Sequence, residues 1–171
     1  MTMNSLLRQC SAMAALVFGA SSVHAQPPHV LGMWQLDIEA SSVPDFITLQ
    51  PETRGYFQRE DGYIVALVVR YGANGADFIQ VAAKSDGQDY PEYRSRTLAD
   101  FAIDGTPTPF TYSETIVDEY AASVIAKFNG QVTTRGTRTV AEDGQTMLLD
   151  VTITQGDQEI ELSLAFDRLN Q

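Results

Sequence analysis

Gln145–Phe166, "QTMLLDVTITQGDQEIELSLAF", is the stretch whose pattern decides the fold. Met147, Leu149, Val151 and Ile153 recur at every second position, with Thr146, Asp150, Thr152 and Thr154 among the residues between them. After Gly156-Asp157 the alternation resumes with Ile160, Leu162, Leu164 and Phe166. Successive side chains of a strand point to opposite faces, so each run predicts a strand with one face buried and the other in water. Gly-Asp between them supplies the positive φ that a tight hairpin needs.

Outward from this hairpin the same rhythm continues. Asp61-Gly62, Asn74-Gly75, Asp86-Gly87, Asp104-Gly105, Asn129-Gly130 and Asp143-Gly144 mark further turns, mostly a strand and a turn apart. "ASVIAKF" places Ala122, Val124, Ala126 and Phe128 on one face. "GYIVALVVRY" is apolar on both faces between Tyr63 and Val69, so its outer side is covered or forms an interface. "ETIVDEYAASVIAKF" has Ile116, Tyr120 and Val124 at helical spacing, but its β-branched content and the surrounding pattern favour a strand reversal near "VDEY". "TPTP" (Thr106–Pro109) is expected to be a loop, because proline donates nothing to a ladder. Consecutive short hairpins with no long crossing predict an all-β domain, an antiparallel up-and-down β-barrel of about eight to ten strands, in which closure removes the sheet edges.

Met1 to Ala25 carries one cation, Arg8, no acidic residue, and the apolar run "AMAALVFGA" followed by "SSVHA". This is the pattern of a cleavable signal peptide, and it places the mature protein in the periplasm or outside the cell. Cleavage after Ala25 leaves residues 26–171 as one domain and removes the single Cys, so no intrachain disulfide is available. No later run approaches the roughly 20 apolar residues of a membrane-spanning helix. The net charge of the whole chain is −11; loss of Arg8 makes it −12. Such a field disfavours nucleic acid and anionic lipid as partners.

"LGMWQLD" (Leu31–Asp37) resembles the Gly-x-Trp start of the first strand in lipocalins and the wider calycin group. With "GMWQLDIEASSVPDF", "AAKSDGQDYPEY" and "TRGTRTVAEDGQTMLLDVT" spread along the chain, the sequence resembles in particular a group of small bacterial secreted lipocalin-like proteins of uncharacterised function. The resemblance implies a barrel whose motif Trp, here Trp34 with Gly32 before it, sits at the closed end under a basic side chain from a late strand. Arg138, in phase with the apolar Val132 and Val140, is the expected closing cation, since an inward Arg needs such a partner; Arg168 is its competitor. The chain departs from the classical lipocalin pattern in having Gln88-Asp89-Tyr90 mid-chain where that pattern has a late Thr-Asp-Tyr turn.

The inventory of reactive side chains is short. His29 is the one His after the leader and precedes the first strand, a poor place for a catalytic base or a haem ligand. His/Cys zinc sites are excluded, and no metal or cofactor is expected. "SDGQDYPEY" groups Asp86, Asp89 and Glu92 with Tyr90 and Tyr93, but without the ordered spacing of a calcium loop it reads first as an acidic hairpin.

The remaining expectation is a cup. Ala66 and Val68 with Phe78, Phe128, Leu149, Leu162 and Phe166 are the candidate walls of a site for a small apolar or amphipathic ligand, with small residues such as Ala82, Ala122 and Gly136 leaving room. Two other classes stay open. One is an envelope interaction module with a filled core that meets a second copy or an envelope protein through the two-sided apolar strand. The other, less favoured, is an enzyme pairing a carboxylate with Tyr63, Tyr71 or Tyr90 as acid and base. Enzymatic activity is therefore not the expectation.

Overall fold

A computed structural model describes residues 28–95 and 106–169; the expected leader and the Asp104-Gly105 turn lie outside the described residues. A 3-10 turn at Pro28–Val30 leads into ten strands: β1 (Gly32–Ser42), β2 (Glu52–Gln58), β3 (Ile64–Gly72), β4 (Gly75–Ala83), β5 (Tyr90–Ser95), β6 (Thr106–Ile116), β7 (Ala121–Phe128), β8 (Gln131–Val140), β9 (Thr146–Gln155) and β10 (Gln158–Arg168). Each strand pairs antiparallel with its sequence neighbour, and β1 pairs with β10 to close the barrel. This is the all-β up-and-down barrel that the alternation predicts. The β9–β10 hairpin pairs Met147 with Phe166, Leu149 with Leu164 and Val151 with Leu162, so the two apolar series read from the sequence share the interior.

At the β7–β8 turn, Asn129 and Gly130 both adopt positive φ, 50° and 80°, as the commonest two-residue hairpin requires. The "VDEY" segment is a reversal between β6 and β7, not part of a helix. "TPTP", expected as a loop, instead begins β6: Pro107 pairs with Tyr93 of β5, whereas pairing with β7 starts only at Phe110. Laddered on one side, these prolines leave no donor missing on the other.

One end of the barrel is sealed. Val30, Trp34, Leu36, Tyr56, Ile64, Val140, Met147, Leu164 and Phe166 form its core, with Trp34, Met147 and Phe166 wholly buried. Trp34 Nε1 donates to the Val30 carbonyl at 2.8 Å. The cation across the indole is Arg168, 4.2 Å from the ring centroid, which also donates to the carbonyls of His29, Leu31 and Gly144. The expectation that Arg138 fills this place is corrected. Both arginines face inward, but Arg168 is the direct β10 partner of Trp34, while Arg138 stands opposite Leu149 on β8. Gly32 has a structural reason: its φ is +122°, and a Cβ there would lie 2.7 Å from Arg168 Nη1.

On β3 the inward phase is Ile64, Ala66, Val68 and Arg70, which turns Val65, Leu67 and Val69 outward. Val69 pairs with Phe78 of β4 on that outer face, which also carries Phe57 and Tyr71, both about half exposed.

Candidate ligand-binding site

Above the sealed end the barrel holds a cavity of about 340 Å³. Its walls are aliphatic on β3, β4, β7, β9 and β10, with Ala66, Val68, Ile79, Val81, Val124, Leu149, Val151, Leu162 and Leu164 among the contributors. Of the seven walls expected from the sequence, Ala66, Val68, Leu149 and Leu162 line it. The other three do not, each for a different reason. Phe78 takes the outward phase of β4, where Ile79, Val81 and Ala83 are the buried series. Phe128 keeps the inward phase, in register with the cavity wall Phe110, but as the last residue of β7 it sits at the rim beyond the cavity, 41% exposed. Phe166 belongs to the sealed core, where Arg54 lies 4.7 Å above its ring.

Beyond an inward Arg138, the sequence reading did not anticipate the charge inside. Arg54, Arg70, Arg94 and Arg138, four of the eleven Lys and Arg residues in the chain, line this one cavity. Each has a carboxylate partner. At the floor, Glu114 and Arg138 are 2% and 4% exposed and form a two-point ion pair, with Nη2 to Oε1 at 3.0 Å and Nη1 to Oε2 at 2.8 Å. Ser85 Oγ donates to the same carboxylate at 2.8 Å and Tyr112 Oη at 2.6 Å, while the guanidinium lies 5.0 Å over the Tyr56 ring. A buried charge is tolerated only when paired and hydrogen-bonded, and here the carboxylate accepts from four donor atoms. Burial, reinforced by the neighbouring Glu114, pushes the Tyr112 phenol well above its ordinary value, so it stays a donor.

Beside this network, Glu52 takes Arg54 Nε on one oxygen and Arg70 Nε on the other, both at 2.5 Å. Burial alone would raise the Glu52 carboxyl, but the two arginines outweigh it and hold the group below the usual carboxylate range. Nearer the mouth, Glu92 accepts from Arg94 Nε at 2.8 Å and from Thr108 Oγ1 at 3.2 Å, and Arg94 lies 5.4 Å over the Phe110 ring. Among the described residues, the three carboxylates that stand in or against the cavity are thus held by arginine, an arrangement for neutralising charge and not for transferring protons.

The sequence candidates for other chemistry lie elsewhere. Asp86 accepts from Tyr90 at 2.8 Å and Asp89 from Lys127 at 2.8 Å, both on the surface; Tyr63 stacks edge-on to Tyr90, and Tyr71 is exposed. His29 stacks on Tyr120, 4.7 Å away. Among the described residues no group of three His, Cys, Asp or Glu side chains is placed to hold a metal, and no helix is long and apolar enough to cross a membrane.

No protein-family model matches the chain, and no curated protein matches it. Among solved structures, a crystal structure of a point mutant of the fluorescent protein UnaG superposes with a TM-score of 0.51 at 16% identity, covering 82% of this chain and 96% of that one. The structure of EF1p2_mFAP2b bound to DFHBI covers 86% of this chain and 100% of that one, at 12% identity and a TM-score of 0.35. The first likeness is one of fold: a closed antiparallel barrel of the lipocalin-like, calycin kind.

Proposed function

We propose that this is a non-enzymatic binding protein that takes a small amphipathic organic molecule into its barrel. The observation that carries the reading is the cavity itself, an apolar-walled space of about 340 Å³ above a sealed floor. Closing the barrel around so much unfilled interior forgoes packing that a filled core would supply. The volume falls within the range of small-molecule sites, which are mostly apolar with a few placed polar groups. Ligand carbon would be buried at about 25 cal/mol per Å², before the entropic cost of association. We further propose that the protein works in the periplasm or outside the cell, supported by the leader pattern of its first 25 residues; N-terminal sequencing of the protein from its host would find Gln26 first.

The test is native mass spectrometry of protein purified from its own host. A bound small molecule that is lost on denaturation is the expected result. Leu149→Trp, which fills the cavity, should abolish that adduct while leaving the fold intact. A bare protein mass, together with no uptake of an apolar fluorescent probe, would overturn the reading.

A further inference from the structure

We infer that the ligand carries a single oxyanion, held at the mouth of the cavity by the outward forks of Arg70 and Arg94, with its apolar part pointing down the barrel. This deepens the proposed function and rests on it. The reasoning begins with how each arginine is attached. Arg138 is consumed by its two-point pair with Glu114, and Arg54 by Glu52 and a hydrogen bond with Tyr56. Arg70 and Arg94 are attached differently: each meets its carboxylate through Nε, and among the described residues no other residue accepts a hydrogen bond from either guanidinium. A guanidinium pinned by Nε to one carboxylate is fixed in place with outward N–H donors that no second residue takes, the geometry that grips carboxylate, sulfonate or phosphate oxygens.

Position and charge agree. The two side chains are 45% and 40% exposed, in contrast to the buried Arg138, so they stand where the cavity meets solvent. Arg70 and Arg94 sit on β3 and β5 with β4 between them, two strand spacings across and two residues along, about 12 Å apart at the backbone, which leaves room for one head group between two long side chains. Stacking on Phe110 limits the freedom of Arg94, so little of its entropy remains to be lost on binding. Glu52 serves two arginines, so among the described residues the four cavity arginines share three carboxylate partners, inside a chain whose net charge is −11. Asp77 of β4 is the direct cross-strand neighbour of Arg70 and brings a further carboxylate to the rim, but it is not among the ion-pair partners of Arg70. Below the forks the walls are Val124, Leu149, Val151 and Leu164, and the charged island there, Glu114 with Arg138 and Tyr112, is already satisfied. An anion at the mouth gains the free donors, and carbon below meets carbon.

The experiment uses two probes that share a ring skeleton: 8-anilinonaphthalene-1-sulfonate and its neutral counterpart N-phenyl-1-naphthylamine, titrated by fluorescence into the wild-type protein. The sulfonate should bind at least about tenfold more tightly, as charge-assisted hydrogen bonds imply. Arg70→Gln with Arg94→Gln should remove that preference, weakening the sulfonate at least about tenfold more than the neutral probe. Arg135→Gln, which deletes the same charge from the outer Arg135–Glu159 pair, should leave the preference intact. The doubly substituted Arg70→Lys, Arg94→Lys protein should keep part of the preference, by charge, and lose the part due to the fork. Equal affinity for the two probes, survival of the preference in the double Gln variant, or sulfonate binding that Leu149→Trp does not weaken would overturn the inference while leaving the proposed function standing. Failure of both probes to bind would bring down the proposed function and this inference with it.

Discussion

Arg168 lies over Trp34, 4.2 Å from the ring centroid, and reaches three backbone carbonyls past the empty side of Gly32. The Gly-x-Trp motif is therefore one half of a clasp whose other half is the end of the last strand. Arg168→Ala should cost about 2–3 kcal/mol in chemical denaturation, because it strips donors from buried carbonyls and removes the cation from the ring. Trp34 is the one Trp in the chain, so its emission should shift in the same variant. Arg138→Ala should cost about 3–5 kcal/mol, by leaving Glu114 buried without its cation, yet leave the Trp34 emission of the folded protein unchanged.

Gly136 has a reason to be glycine that differs from making room for a ligand. A Cβ there would sit 2.0 Å from the Asp150 carbonyl oxygen and 2.7 Å from the Val151 Cα, so the clash is with the β9 backbone. Gly136→Ala should force β8 from β9 and cost about 3 kcal/mol or more, read as a lowered denaturant midpoint.

Glu52 links stability to acid. Its folded value is lowered, so its contribution is fully present above the ordinary carboxylate value near 4.5 and is lost as pH falls through the folded value. Glu52→Gln should be less stable than the wild type by about 3 kcal/mol at pH 7, since it leaves the largely buried Arg54 without its counter-charge. The gap between the two proteins should stay constant from pH 7 to about pH 5 and close below it. A gap that does not vary with pH would contradict the assignment.

Tyr112 works in the opposite direction. With its folded value raised, it stabilises the protein below the ordinary phenol value of 10 and that contribution fades as pH climbs beyond it. Ultraviolet titration of wild type against Tyr112→Phe should therefore show no phenolate from this residue until the fold is lost. Tyr112→Phe should cost about 1.5–3 kcal/mol at pH 7 through the missing donor to Glu114.

The division between what is legible in the sequence and what is not follows the division between phase and register. Period-two alternation is local, so the β9–β10 hairpin, the turns and the closed antiparallel barrel can all be read from residues a few positions apart. Which arginine covers Trp34 depends on how β1 meets β10, at opposite ends of the barrel sequence, and nothing near Arg138 or Arg168 encodes it. Phe128 keeps the inward phase of β7, opposite the cavity wall Phe110, but it is the last residue of the strand before the Asn129-Gly130 turn, and strand phase alone does not say how deep in the barrel a residue sits. In "DFIQVAA" apolar residues occupy both phases, so Phe78 and Ile79 are equal candidates for the interior until their partners are known.

Apart from Arg138, the inward arginines escape a sequence reading for a different reason: charge is ordinarily taken as a mark of the surface. A signal is nevertheless present. Arg54 lies two residues from both Glu52 and Tyr56, Arg70 continues the series Ala66-Val68, and Arg94 follows Glu92 by two. A cation two positions from a carboxylate, and so on the same face of its strand, is the pattern of an internally neutralised charge, and it occurs here on both β2 and β5.

The clasp of Trp34 by Arg168 also sets an order of events. β1 has its edge partner, its indole cover and the anchors for the His29 and Leu31 carbonyls only when residue 168 is in place. A chain with its last strand still missing keeps an open sheet edge and an unsealed floor. Closure of the barrel therefore cannot precede the synthesis of residue 168, so the N-terminal strand waits on the strand farthest from it in the described chain.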